Sequence, residues 1–302
     1  MKPPTESHNG KGDAVEEWID LHFFRPVGIR IAGALRSTRI SADHVTMWGL
    51  VTGLVAGHLF LYSSPAVNFA GFLLFVVSEL LDSVDGQLAR IRGVSTRWGR
   101  LLDGIADTAR FVNLYAHFAA RLFLNHAAPG TWALVLVALA SHSMQSGAID
   151  FIRSAFLEVG EGRDGELDLP ETVGRMRGTT FGHRLAAWIY VPYVKRQVWI
   201  FPRTVALVRA LRKSGGAGGR AAEAWRAAYR DRQRALVPYC GWLGQNIRII
   251  MLGLLPLIGG PYGFFWMTIV PLNLLTLALI GFHERNAALL LAPARARQGV
   301  EA

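Results

Sequence analysis

Cysteine is nearly absent from this chain. Cys240 is the single thiol among 302 residues, so no intrachain disulfide can form and nothing marks an oxidising compartment. Acidic residues are also in short supply, with 22 Asp and Glu against 32 Lys and Arg and a net charge of +10. The basic excess lies outside the apolar runs, which suits a membrane protein with basic cytoplasmic edges better than a nucleic-acid binder. No secretory leader is visible; residues 1–13 are polar, lack an apolar stretch and read as a short disordered cytoplasmic tail. Apolar residues, by contrast, are abundant. At 51% hydrophobic and a mean hydropathy of +0.27, the chain is too apolar for an ordinary soluble domain.

The densest chemistry lies between residues 82 and 107, D-S-V-D-G-Q-L-A-R-I-R-G-V-S-T-R-W-G-R-L-L-D-G-I-A-D. Asp82 and Asp85 are three apart and Asp103 and Asp107 four apart, so on helices each pair shares a face. Apolar runs flank the stretch on both sides. Carboxylates at the ends of apolar helices are expensive to desolvate and face a cavity, a partner or a metal. Four converging carboxylates favour a divalent cation, because hard cations take oxygen ligands. The alternative is a pair of helix ends with solvated acids.

The same stretch matches D-x2-D-G-x2-A-R-x8-G-x3-D-x3-D at every fixed position: Asp82, Asp85, Gly86, Ala89, Arg90, Gly99, Asp103 and Asp107. In this it resembles the CDP-alcohol phosphotransferases, integral membrane enzymes that make phospholipid headgroup linkages. The resemblance implies that Asp82, Asp85, Asp103 and Asp107 hold two Mg²⁺ or Mn²⁺ ions. It further implies that Asp107 is the general base toward an acceptor hydroxyl and that CMP leaves. Gly86, Ala89 and Gly99 are small enough to let nucleotide and backbone approach, and Arg90 is suited to the diphosphate charge. Ile40 to Thr46 is similar to the family's I-T-P-N-x-x-T entry, with Ala42 and Asp43 replacing Pro and Asn. Thr46 is therefore a candidate CDP contact or simply a helix-terminal hydroxyl, and Asp43 reads as an N-cap.

The expected fold is an all-α integral membrane protein with six transmembrane helices. An amphipathic interfacial helix (14–44) precedes them, with Trp18, Phe23, Phe24 and Ile31 on its apolar side and Arg25, Arg30, Arg36 and Arg39 as snorkelling cations. Spans one to four, within 45–158, run over 45–62, 66–84, 101–124 and 131–151. The second and third form an antiparallel hairpin with the acids at its cytoplasmic end. The fourth carries a polar face, Ser141 to Ser146, expected to line the cavity. Residues 159–236 form a cytoplasmic or interfacial insertion. Within it, 185–211 is too charged at Lys195 and Arg196 to cross a bilayer and is broken by Pro192 and Pro202. A Gly-rich hinge at 214–219 and a basic helix at 220–234 follow. Spans five (237–258) and six (262–281) close the membrane domain, and 286–302 is a cytoplasmic tail. Lys and Arg avoid the turns at 63–65, 125–130 and 259–261, which puts both termini and the active site on the cytoplasmic side of the inner or plasma membrane.

The resemblance implies metal-dependent transfer of a phosphatidyl or phosphoalcohol group from a CDP-alcohol to an acceptor hydroxyl. CDP-diacylglycerol is the first donor to consider and a CDP-linked small alcohol given to a lipid hydroxyl the second. Arg110, Arg153 and Arg248 are candidate acceptor contacts or interfacial snorkels. The partners expected are the CDP-alcohol donor, the hydroxyl acceptor, membrane lipid and a second copy in a homodimer, with no nucleic acid. Two other classes are a cation transporter and an inactive scaffold. All four acids lie at one membrane edge with no midplane relay in the later spans, which argues against the first. The intact acid set argues against the second.

Overall fold

The computed structural model describes residues 15–94, 97–163, 165–173, 181–213 and 220–298. The expected disordered tail, the whole of the Gly-rich hinge at 214–219 and part of the polar loop after Glu161 lie outside them. Among the described residues the chain is helical throughout, with no strand. It divides into two compact units, Met1–His142 with Gln245–Val270, and Ser143–Gly244 with Pro271–Ala302.

The first unit begins with a π-helical turn, Asp20–Phe24, running into α1 (Arg25–Leu35). Pro26 fits here because the first turn of a helix needs no amide from it. Trp18, Phe23 and Ile29 are exposed while Phe24 and Ala32 are buried, the two-sided pattern expected of an interfacial helix. The helix stops at Leu35, short of the expected residue 44. Arg92 then collects the carbonyls of the turn that follows, donating to Leu35 (2.7 Å), Arg36 (3.3 Å), Thr38 (3.0 Å) and Ile40 (2.6 Å).

Helix α2 covers Ala42–Leu59. Its N-cap is Ser41, not Asp43. Ser41 is extended (φ −82°, ψ 164°) and accepts from the His44 amide at 3.2 Å, while the His44 ring accepts back from the Ser41 amide at 3.1 Å. A reciprocal capping box needs its residues three apart, and that spacing leaves Asp43 in the first turn.

Helix α3 (Pro65–Ile91) and α4 (Arg97–Leu124) form the hairpin. Its antiparallel sense is visible in three rungs: Asp85 near Asp103, Ser78 with Arg110, and Asn68 with Arg121. The connection is shorter than expected because α3 continues past Gln87. Gln-Leu-Ala-Arg-Ile offers no breaker, and the helix ends only at Gly93. That residue takes φ +66°, with Gly93 N bonded to Arg90 O and Val94 N to Ala89 O, both 3.0 Å. This is the left-handed C-terminal closure that glycine provides without a Cβ clash. Val45, Val84, Leu88 and Ala32 form a buried core under α1, α2 and α3.

Helix α5 covers Thr131–Ala155 and continues as a π-turn, Phe156–Gly160. In the second unit, the polar groups expected on this helix find partners: Gln145 donates to Asn273 (2.7 Å) and Arg196 donates to Ser143 (3.0 Å). The insertion contains α6 (Pro170–Val173), α7 (Phe181–Ile200), α8 (Pro202–Lys213) and α9 (Arg220–Gln233). Only one of the two prolines breaks it. Pro192 sits inside α7, whereas Pro202 starts α8 after a break at Phe201. Glu284 caps α8, accepting from Arg203 N (2.8 Å) and Thr204 N (3.0 Å). Trp188 and Trp199 on α7 are exposed. On α8, Arg209 donates twice to Glu171 and holds that carboxyl below its ordinary range.

The expected fifth span is not one continuous helix. Val237–Ile258 is divided into α10 (Val237–Cys240), a 3₁₀ turn (Gly241–Leu243), α11 (Gln245–Gly253) and a turn. Gly244 is extended at the break (φ −73°, ψ −174°). Nine residues of α11 rise about 14 Å, well short of a bilayer core of about 30 Å. The last elements are α12 (Gly260–Ile269) and α13 (Pro271–Gln298).

Among the described residues, three helical stretches are long and apolar enough to cross a membrane: Pro65–Ile91, Thr131–Gly160 and Gly260–Leu291. Their outward faces agree. Phe69, Leu73 and Val77 make an exposed stripe on α3, and Trp132, Leu136 and Val137 are exposed on α5. Apolar area of this extent is not left facing water. The chain is thus an all-helical membrane protein.

Candidate active site

The site is assembled within the first unit by α2, α3, α4 and α11. Carboxylate oxygens of Asp82, Asp85 and Asp103 lie within 4.8 Å of one another. Asp82 and Asp85 are adjacent on one face of α3, and the hairpin brings Asp103 of α4 opposite them. Three hard oxygen donors at this separation fit a divalent cation.

Asp85 and Asp82 are each held by a neighbour. Thr46 donates its hydroxyl to Asp85 Oδ2 at 2.5 Å, and shares it with the Ala42 carbonyl at 3.1 Å. The visible contacts of Thr46 are thus a site carboxylate and a carbonyl of the first turn of α2. Arg110 is almost wholly buried, at 3% exposure. Its guanidinium donates to Ser78 Oγ (2.8 Å) and Asp82 Oδ1 (3.0 Å), pairs with Asp107 Oδ1, and lies 3.9 Å from Glu79. One cation thus joins one member of each acid pair.

Asp107 stands apart from the other three in its contacts. Arg110 takes Oδ1, and Gln245 at the start of α11 donates to Oδ2 at 2.6 Å. Both its oxygens are engaged by side chains.

The remaining candidates fall as follows. Gly86 and Ala89 lie on α3, half-buried, and Arg90 folds back over Gly86 with its Nε buried and without a hydrogen-bond partner. Gly99 lies in the first turn of α4. Arg248 on α11 is fully buried, and its neighbour Asn246 donates to Asp20 at 2.9 Å. Arg153 belongs to the second unit, in the last turn of α5. Arg110 and Arg248, read as possible acceptor contacts or snorkels, are interior residues, so neither is a snorkel.

Several residues of the site escaped the sequence reading. Ser78 and Glu79 precede the motif by one turn and share its face of α3, a spacing visible in sequence. Gln245 lies 138 residues from its partner, and no local pattern points to it. Gly53 is the least conspicuous. A Cβ there would lie 2.5 Å from Arg110 Cδ and 2.8 Å from Ser78 Oγ, so the bare backbone of α2 makes room for the Arg110 stem.

Comparison with known proteins agrees with this geometry. Residues 39–161 match the family model described as CDP-alcohol phosphatidyltransferase. A phosphatidylinositol phosphate synthase of Streptomyces avermitilis is 33% identical over 97 residues, covering 32% of this chain and 39% of the relative. A CDP-diacylglycerol–serine O-phosphatidyltransferase of Methanocaldococcus jannaschii is 31% identical over 96 residues, 30% of this chain and 43% of the relative. The chain therefore spans less than half the length of the curated relatives it matches. The matched segment contains α2, α3, α4 and α5 and with them all four motif aspartates. Residues 39–161 are thus the segment that is similar to the CDP-alcohol phosphatidyltransferases.

Proposed function

We propose that this protein transfers a phosphatidyl group from CDP-diacylglycerol to the hydroxyl of an acceptor alcohol, releasing CMP, at the cytoplasmic face of a membrane. The observation that carries this is the grouping of Asp82, Asp85 and Asp103 within 4.8 Å, with Asp107 one turn further along α4. The donor is supported by the name of the Methanocaldococcus relative, which includes CDP-diacylglycerol.

In the reaction the acceptor oxygen bonds to the phosphorus that bears the diacylglycerol. The bond from that phosphorus to the CMP oxygen breaks, its electron pair stays on CMP, and the acceptor proton goes to a base. Mg²⁺ or Mn²⁺, as two ions held by Asp82, Asp85, Asp103 and Asp107, would neutralise charge on the diphosphate. This chain's own residues do the rest. Thr46 orients Asp85, and Arg110 orients Asp82. Asp107 accepts the proton at Oδ2, the oxygen held by the neutral Gln245 amide, while Oδ1 stays with Arg110. Arg90, beside Gly86, meets the donor phosphates, with Gly99 and Ala89 leaving room for the nucleotide.

Six crossings, the fifth made by the broken segment 237–258 as a whole and not by α11 alone, and cytoplasmic termini complete the arrangement, and a homodimer is expected from small residues such as Ala116 and Ala120 on α4. A monomer mass at full activity in mild detergent would refute the dimer. The function is tested by CMP release from purified protein with CDP-diacylglycerol and with CDP-linked small alcohols, each against a panel of hydroxyl acceptors. CMP release with CDP-diacylglycerol plus a small acceptor is expected. Release only from CDP-linked small alcohols with a lipid hydroxyl would reverse the donor assignment. Metal-dependent ion flux without any CMP release would move the protein to the transporters.

A further inference from the structure

Beyond residues 39–161, the insertion has a one-sided charge pattern. Between Glu171 and Glu223 there is no acidic residue, while ten Lys and Arg occur. Helix α7 lies in the middle of that stretch. Its outward residues form one stripe. Trp188, Pro192, Lys195 and Trp199 are exposed, and their spacings of four, three and four are those of a single helix face. The two indoles are 75% and 78% exposed and stand about 16 Å apart along the helix axis. Tryptophan and a long-stemmed cation together are the residues of a membrane–water boundary, each with an apolar body and a polar end.

The opposite side of α7 fixes its direction. Tyr193 donates to Asp150 (3.0 Å), and Gln197 donates to the Gly147 carbonyl (2.9 Å) and to Asp150 (3.3 Å). Phe201, just past the helix end, stacks on Phe151 with ring centroids 4.2 Å apart. Positions two turns apart in this part of the chain thus meet α5 within a single turn, Gly147 to Phe151. Arg196, with a longer side chain, reaches one turn further, to Ser143 (3.0 Å). A helix running alongside α5 would move about four residues along it for each of its own turns, so α7 crosses α5 steeply. Helix α5 belongs to a stretch able to span the bilayer. Trp132, exposed in its first turn, suits one boundary. Asp150 stands nineteen residues beyond Thr131, about 28 Å, the thickness of one bilayer core. A helix that crosses a spanning helix steeply at that level lies in the plane of the membrane surface.

We infer that α7 is an in-plane membrane helix whose Trp188–Lys195–Trp199 stripe docks on anionic phospholipid. The indoles enter the headgroup boundary, and the Lys195 ammonium lies between them at the height of the lipid phosphates. Lipids of net negative charge are selected because the surrounding stretch is basic and has no carboxylate of its own to repel them. This docking does not depend on the donor or the acceptor of the reaction.

The test uses the full chain in lipid nanodiscs, with Trp188→Cys or Trp199→Cys carrying an environment-sensitive fluorophore. Cys240 is fully buried, and wild type treated with the same reagent is the blank. Phosphatidylcholine bearing a nitroxide near the headgroup should quench both positions to a similar extent, and a nitroxide near the chain end should quench neither. Exchanging the shallow probe for its phosphatidylglycerol counterpart at equal mole fraction should raise quenching at least ~2-fold. Lys195→Glu should abolish most of that gain, and high salt should weaken it; Lys195→Gln serves if the Glu variant fails to fold. Deep quenching at one position and shallow at the other would make α7 a spanning helix. Quenching by no lipid would turn the stripe to water, or to a second copy if the emission differs between nanodiscs holding one and two chains. Equal quenching by the two headgroups, or a preference that survives both Lys195 variants, would remove the anionic contact. Each of these results overturns the inference.

Discussion

Thr46 and Asp85 are 39 residues apart in sequence, and their side-chain oxygens are 2.5 Å apart in the fold. The bond runs from α2 to α3 and fixes the rotamer of a motif carboxylate from outside the motif. Its strength is that of a charge-assisted hydrogen bond, stronger than a neutral one. Thr46→Val keeps the shape and removes the donor. Mn²⁺ binding should weaken by roughly 5- to 10-fold, and Thr46→Ser should restore most of it. Calorimetric Mn²⁺ titration of the two variants checks this, and equal affinity in Val and Ser variants would remove Thr46 from the metal site.

Arg92 follows the motif helix directly and binds four carbonyls of the α1–α2 turn. It is a fastener between that turn and the end of α3, not a substrate contact. Arg92→Met should cost about 1 kcal/mol, because two half-buried and two exposed carbonyls lose a charged donor. Arg92→Lys should recover little, since a point ammonium cannot reproduce the planar fork. Thermal unfolding in nanodiscs reads the loss, while KM for the donor should change less than about 2-fold.

Asp107 and Asp82 separate base from ligand. Asp107→Asn keeps the shape and removes the basic oxygen, so turnover should fall at least ~10²-fold. Asp82→Asn should recover more of its activity than Asp107→Asn when Mg²⁺ or Mn²⁺ is raised. CMP release across a metal titration distinguishes them, and wild-type turnover in Asp107→Asn would end the base assignment.

How much of this was legible beforehand depends on the reach of each signal. The acid pairs were legible because their three- and four-residue spacings are those of one helix face, and the hairpin followed from two long helices joined by a short link. Helix α3 runs past residue 84, where the apolar span was drawn to end, because the polar residues that follow are all helix-compatible and only Gly93 stops the chain. The N-cap was misplaced because Asp43 and Ser41 are both good caps, and the His44 ring decides between them. The fifth helix was drawn unbroken because its hydropathy is continuous; Pro238, Gly241 and Gly244 carry little weight in such an average but break the backbone. Gln245, Arg92 and Gly53 act over long sequence distances, where pattern in the chain has no bearing.

Topology is expected to follow the Lys and Arg asymmetry. Reporter fusions at Asn125 and Gly259 should read outside and a fusion at Lys213 inside. An outside signal at Lys213 would contradict six crossings with cytoplasmic termini.

Gly53 ties the packing of α2 to the chemistry of α4. Gly49, Gly53 and Gly57 recur every four residues along one side of α2 and are all buried. At Gly49 a Cβ would meet Leu81 Cβ at 3.4 Å, an ordinary contact. At Gly53 it would meet Arg110 Cδ at 2.5 Å and Cγ at 2.7 Å. Those atoms belong to the stem of a side chain whose head is held by Ser78, Asp82 and Asp107, so the stem cannot swing away without breaking the contacts that orient two acids. Gly49→Ala should therefore be close to neutral in turnover. Gly53→Ala should destabilise by roughly 1–3 kcal/mol as overpacking does and should lower kcat at least ~10-fold by displacing the guanidinium. The comparison to make is kcat against thermal stability for the two alanine variants. Stability lost in Gly53→Ala with kcat unchanged would show that the position of Arg110 is not what orients Asp107; kcat lost equally in both variants would trace the effect to the packing of α2 as a whole.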